Sequence, residues 1–143
     1  MASYPEIKLY IGGKWRESET HLPIINPSDK QQIGLFPVAT QSDLEDAVAA
    51  AQAGFKIWSA TPPVERSRII LKASMLMRER QEEIAQSIAL ELGKPIRQAR
   101  LEVIRGCEFF EWDAGEGQRL YGTVIPSAPG IRYTTIRQPI GCI

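Results

Sequence analysis

Glu91-Leu92-Gly93-Lys94-Pro95 can end one helix and begin the next within five residues, and the chain divides around that joint. Gly93 suits the left-handed position just past a helix end, and Pro95 suits the first turn of a new helix, where its missing N–H costs nothing. Lys94 stands where a cation meets the carbonyl end of the outgoing helix. Upstream, Ile69, Ile70, Ala73, Leu76, Met77, Ile84, Ile88 and Leu92 recur near the helical period. Arg78-Glu79-Arg80-Gln81-Glu82-Glu83 breaks that face with charge, which favours two helices meeting near Arg80 over one long helix with a solvated waist. Downstream, Ile96, Ala99, Val103, Gly106 and Phe110 mark one face of a further helix that weakens around Gly115-Glu116-Gly117.

Working outward, Ser42-Asp43-Leu44-Glu45 reads as a capping box. Leu44, Val48, Ala51, Phe55 and Trp58 then form the apolar stripe of a core-facing helix, which Thr61-Pro62-Pro63 stops. Nearer the start, Gly12-Gly13 sits between two β-prone triplets and predicts a tight hairpin. Asn26-Pro27-Ser28-Asp29 supplies turn chemistry for a second strand pair, kept short or at an edge by Pro23 and Pro37. Past the last helix, Tyr121 to Pro126 and Ile131 to Arg137 read as strands around a Ser127-Ala128-Pro129-Gly130 turn, the second exposed on one face. The apolar run Pro139-Ile140-Gly141-Cys142-Ile143 has no polar tail and predicts that the polypeptide continues.

Composition narrows the function classes. Lys+Arg and Asp+Glu both number 17, so there is no basic excess to neutralise nucleic acid or an anionic membrane surface. No apolar run is long enough for a bilayer and the first residues lack the pattern of a secretion signal, which points to the cytoplasm. Cys107 and Cys142 form no C-x-x-C pair and read as reduced, structural thiols; mid-helix beside Glu108, Cys107 has nothing to activate it as a nucleophile. His21 is the sole histidine and reads as a surface loop residue, without companions for a metal site or a base for a serine nucleophile. Neither G-x-G-x-x-G after a strand nor G-x-x-x-x-G-K-[ST] occurs. The residues by themselves give a helical layer with small β attachments and no catalytic, cofactor-binding or metal-binding set.

The order of the motifs carries a resemblance. Tyr10-Ile11-Gly12-Gly13-Lys14-Trp15, Asn26-Pro27, Ala47 to Ala51 with Phe55 and Trp58, Thr61 to Arg66, Glu91 to Pro95, Tyr121 to Pro126 and Arg137 to Gly141 together resemble the opening of the NAD(P)-dependent aldehyde dehydrogenase superfamily, across essentially the whole chain. The run Phe110 to Gly122 is most similar to the succinate-semialdehyde dehydrogenase branch. Gly115 stands where that branch usually has the first of two acidic residues, so related semialdehyde branches stay open.

What the resemblance implies is an α/β enzyme of which this segment is mostly α. It comprises small N-terminal β hairpins, a layer of three or four helices and a C-terminal β arm. Residues 1–120 would be the helical portion of the cofactor-binding domain and 121–143 the start of an oligomerisation arm, with Val124, Ile125, Tyr133, Thr135 and Arg137 meeting another copy of the chain. In the intact enzyme a Cys thiolate attacks the aldehyde, hydride passes to NAD or NADP, and a Glu-activated water frees the acid. Neither cysteine here matches that nucleophile's context, so the segment alone should neither bind the cofactor nor turn over aldehyde. The helix after Pro95 borders the substrate channel in this family, which makes Arg105 and Phe109 candidates to meet the aldehyde. Arg105 is suited to a substrate carboxylate, or else is salt-linked to Glu102 or Glu108. The rival expectation is a freestanding helical interaction module, or a gene remnant, without activity.

Overall fold

The computed structural model describes residues 4–142. Four helices follow two small strand pairs, and a third strand pair follows the helices: β1 (Leu9–Ile11), β2 (Lys14–Arg16), β3 (His21–Ile25), β4 (Gln32–Pro37), α1 (Gln41–Ala60), α2 (Pro63–Glu79), α3 (Gln81–Leu92), α4 (Ile96–Glu116), β5 (Thr123–Ile125) and β6 (Tyr133–Thr135). Each strand pair is antiparallel and stands alone: β1 with β2, β3 with β4, β5 with β6. This is the mostly helical layer with small β attachments that the sequence predicts.

The core lies where α4 packs on α2 and α3. Its fully buried members are small, namely Ala85, Ala99, Val103 and Cys107, with Met77, Ile84, Ile88, Ala89 and Ile96 closing around them. Small side chains at the contact let helix backbones approach closely and interlock. The helical joint forms as the sequence requires. Gly93 has φ 62° at the end of α3, a left-handed turn that a side chain would resist. Arg80 breaks α2 from α3, as its charged surroundings predict. Pro95 sits one residue earlier than expected, at the cap rather than in the first turn, where its carbonyl accepts from Gln98 N–H at 2.9 Å.

The joint is also where the β ribbons attach. Ser28 Oγ donates to the Gly93 carbonyl at 3.3 Å, and the Tyr4 hydroxyl donates to the Glu91 carboxylate. Burial, and then the bond to Glu91, push the Tyr4 hydroxyl up to about 12. Its ring lies over Gly34, where any side chain would collide with it.

Several expectations change. The cap of α1 is Thr40, not Ser42: Asp43 N–H donates to Thr40 Oγ1 at 3.2 Å and Thr40 N–H returns a bond to Asp43 Oδ2 at 2.9 Å, so a Thr-x-x-Asp box two residues earlier wins the helix start. The stripe of α1 does not face a core: the helix touches β1, and Leu44, Val48 and Trp58 are exposed. In α4, Cys107 joins the inward face, where Gly106 lies against Met77 of α2, whereas Phe110 is exposed. His21 opens β3 rather than sitting in a loop, Cys107 is buried as a packing thiol, and Cys142 is exposed.

A paired set of charges ties α3 to α4. Arg100 donates to Glu82 through Nε and Nη2, both at 2.8 Å. Those bonds, helped by Gln86, hold the Glu82 carboxyl down at about 2. A carboxylate depressed by folding stabilises the fold above its unfolded value and ceases to do so as pH falls to its folded one. The α3–α4 seam is therefore expected to loosen as the pH drops from the usual carboxylate range toward about 2. Amide exchange in α3 followed through that window checks this, and Arg100→Gln should flatten the dependence. Exchange that is equally acid-sensitive in the variant would assign the effect to other groups.

Candidate substrate-facing surface of the last helix

The helix α4 carries its core on one side and the candidate substrate residues on the other. Ala99, Val103, Cys107 and Ala114 face inward, whereas Leu101, Arg105, Phe109 and Trp112 follow one another at helical spacing along the outer side. Phe109 and Trp112 are 68% and 67% exposed, and Leu101 is 49% exposed. Arg105 is exposed among them. An uncovered row of this kind, apolar with a cation inside it, matches the composition of a site wall that binds an amphipathic anion.

Rigid contacts on the inner side hold that row in place. Ser74 of α2 is buried, with its Oγ 2.9 Å from Glu111 Oε1 and 3.2 Å from the Cys107 carbonyl. Arg78 grips the same carboxylate in a fork, Nε to Oε1 at 2.8 Å and Nη2 to Oε2 at 3.0 Å. The Arg78 bonds, with Ser74 second, keep the Glu111 carboxyl below its usual range. Gln118 Nε2 donates to Ser67 Oγ at 2.8 Å and pins the far end. The α2 helix thus fixes the rotation of α4, and with it the direction in which Arg105 emerges.

The surroundings of Arg105 bear on the salt-linked alternative. Neither Glu102 nor Glu108 forms an ion pair with it, and among the described residues no other carboxylate does. Glu102 is taken by Lys94, Nζ to Oε2 at 2.5 Å. Arg100, nearer the start of α4, is held by Glu82. The salt-linked alternative for Arg105 is therefore not what the fold builds.

Two grooves lie elsewhere. One of about 510 Å³ runs between the β3–β4 turn and α3, lined by Asn26, Asp29, Gln31, Gln86 and Ile96 among others. A second, of about 310 Å³, brings Arg137 and Pro139 against Phe55, Trp58 and Arg66. Arg105 and Phe109 line neither. They are brought together on the exposed outer side of α4.

The β5–β6 ribbon is exposed on both faces, not one. Thr123 pairs with Thr135, Val124 with Thr134 and Ile125 with Tyr133, and every one of these side chains is exposed because no other described element lies on either side. Gly130 takes φ 86° after Pro129 to close the intervening turn. Arg137 lies two residues past the end of β6, in the second groove and not on the strand. Trp112, missed by sequence reasoning, belongs with Arg105 and Phe109; its helical spacing from Leu101 and Phe109 was the signal available.

No nucleotide cradle is present among the described residues. All the strand pairs are antiparallel hairpins, so there is no strand–helix crossover at which a pyrophosphate would meet a helix N-terminus. No group of three or more His, Cys, Asp or Glu there is placed to hold a metal ion. No helix among them is long and apolar enough to cross a membrane.

The described residues form a helical layer with hairpin attachments and one uncovered amphipathic helix face. The model of the "Aldehyde dehydrogenase family" matches residues 15–143, and the chain belongs to that family. A curated relative, malonate-semialdehyde dehydrogenase 1 of Geobacillus thermodenitrificans, is 40% identical over 140 residues, covering 96% of this chain and 29% of the relative. Among solved structures, an NADP-dependent enzyme of E. coli superposes with a TM-score of 0.88 at 31% identity, covering 94% of this chain and 29% of that one. A succinate-semialdehyde dehydrogenase of Burkholderia pseudomallei does so with a TM-score of 0.79 at 28% identity, covering 84% and 25%. The chain thus spans under a third of the length of these proteins.

Proposed function

We propose that this chain is the N-terminal part of an aldehyde dehydrogenase that oxidises an acid semialdehyde, with Arg105 receiving the substrate's carboxylate. The observation that carries this reading is Arg105 itself, exposed and without an ion-pair partner in a row with Leu101, Phe109 and Trp112. An unpaired guanidinium offers a carboxylate a planar fork of donors, and the aromatic neighbours offer apolar surface beside it. The name of the Geobacillus relative supports malonate semialdehyde ahead of succinate semialdehyde, and the Burkholderia structure keeps the latter in the same substrate class.

On this reading residues 1–120 form the helical part of the cofactor-binding domain; the nicotinamide cofactor, NAD or NADP, would be held by other parts of the enzyme and would supply the hydride acceptor. The chain's own residues position and select the aldehyde; they move no proton and form no bond to it. Residues 121–143 begin an oligomerisation arm. Val124, Ile125, Tyr133 and Thr135 lie uncovered on a two-stranded ribbon, a unit of marginal stability by itself that gains from pairing with another copy. Arg137 would act at the base of that arm rather than along it.

Substrate preference of the full-length enzyme tests the reading. The kcat/KM for malonate semialdehyde is expected to exceed that for an uncharged aldehyde of equal chain length by at least about tenfold, the discrimination one desolvated charged contact supports. Equal values for the two aldehydes would remove the role given to Arg105.

A further inference from the structure

The joint that opens α4 does more than connect helices. Glu102 stands three residues before Arg105, on the same side of the helix, with the carboxylate N-terminal to the cation. Opposite charges three apart are neighbours on a helix surface and can pair. That pair does not form here, because Lys94 reaches across the joint and holds Glu102 at 2.5 Å. Lys94 is only 26% exposed along its side chain, whereas Glu102 is 54% exposed, so the lysine is the packed partner and the carboxylate is the one drawn over. Glu108, three residues beyond Arg105, makes no ion pair with it and contributes to the field at Arg78. Of the two acidic groups within a turn of Arg105 on its own helix, Glu102 is the one held by a cation from outside it.

We infer that Lys94 is a positioning residue for substrate selection: by sequestering Glu102 it keeps the Arg105 guanidinium free to receive a carboxylated aldehyde. The inference rests on the role proposed above for Arg105. Without Lys94, Glu102 swings back one turn and competes with the substrate's carboxylate for the same fork. Competition of this kind weakens binding of the anionic substrate without touching the reacting atoms, so it belongs in KM and not in kcat.

The test is steady-state kinetics of the full-length enzyme on malonate semialdehyde and on an uncharged aldehyde of equal length. Lys94→Met is expected to raise KM for the semialdehyde by about two- to fivefold, the range that one exposed ion pair supports, with kcat and the uncharged substrate unchanged. Lys94→Arg should retain the native values, since it keeps the cation. The decisive variant is Lys94→Met with Glu102→Gln, which removes the carboxylate that the loss of Lys94 releases; its KM should return to the native value. A double variant as impaired as Lys94→Met would show that Lys94 acts by supporting the joint, and would overturn the proposal. Should Lys94→Met fail to fold, Lys94→Gln carries the same comparison with a polar side chain. Arg105→Ala separates the two readings. If it leaves KM for the semialdehyde unmoved, the role of Arg105 fails and this inference with it; if it raises KM while Lys94→Met does not, only this inference fails.

Discussion

Arg105→Ala in the full-length enzyme is expected to raise KM for a carboxylated aldehyde by about 10- to 100-fold, which is what losing a hydrogen-bonded charge of roughly 1.5–3 kcal/mol delivers. The direction follows from where Arg105 sits. It lies on the outer side of α4, away from Ala99, Val103 and Cys107, so its removal leaves the packed core untouched. It has no ion-pair partner to leave stranded, so no buried carboxylate is exposed by the change. The loss should therefore fall on ground-state and transition-state binding alike, raising KM with kcat preserved. Arg105→Lys should recover part of the affinity, because an ammonium restores the charge without the planar fork. A KM that stays put in Arg105→Ala would mean that the carboxylate is met by other residues.

The second large effect is on stability. Gly93→Ala is expected to cost about 2–5 kcal/mol, adding a left-handed backbone penalty of about 1–2 kcal/mol to the strain of overpacking. A methyl group there would stand 2.7 Å from Ser28 Oγ and 2.8 Å from Pro27 Cγ, while φ stays at 62°. Neither neighbour can retreat without opening the bond from Ser28 to the Gly93 carbonyl. Urea unfolding checks it through a lowered midpoint at constant slope. Gly93→Asn tolerates the left-handed turn but carries the same Cβ, so it should lose less than alanine and still fall below the native protein. An alanine variant with an unchanged midpoint would mean that the joint relaxes at little cost.

What could be read from the sequence was the punctuation. Gly12-Gly13, Gly93 and Pro129-Gly130 act through backbone rules that need no tertiary partner, and each turns where it should. The charged break at Arg80 was legible for the same reason. Burial was harder, because a hydrophobic stripe announces only that some surface will cover it. For α1 nothing among the described residues covers Leu44 and Val48. In α4 the buried positions include Cys107, while Phe110 is exposed, which the apolar pattern alone did not distinguish. The cap at Thr40 was hidden by an equally good signal two residues later. As for the site, Arg105 and Phe109 are proposed from the resemblance, and the ion pair of Lys94 with Glu102 spans the helix break, beyond the reach of any within-helix rule.

The bond from Ser28 to Gly93 joins positions 65 residues apart, whereas the ribbon β3–β4 and the turn at Gly93 are each built from near neighbours. Closing a span of that length costs chain entropy that local contacts do not, and it is recovered only after both ends have taken shape. The clasp is therefore expected to form after the helices and the ribbon that it joins. It depends on elements that form without it, and the base of α4 is where near and distant parts of the chain meet.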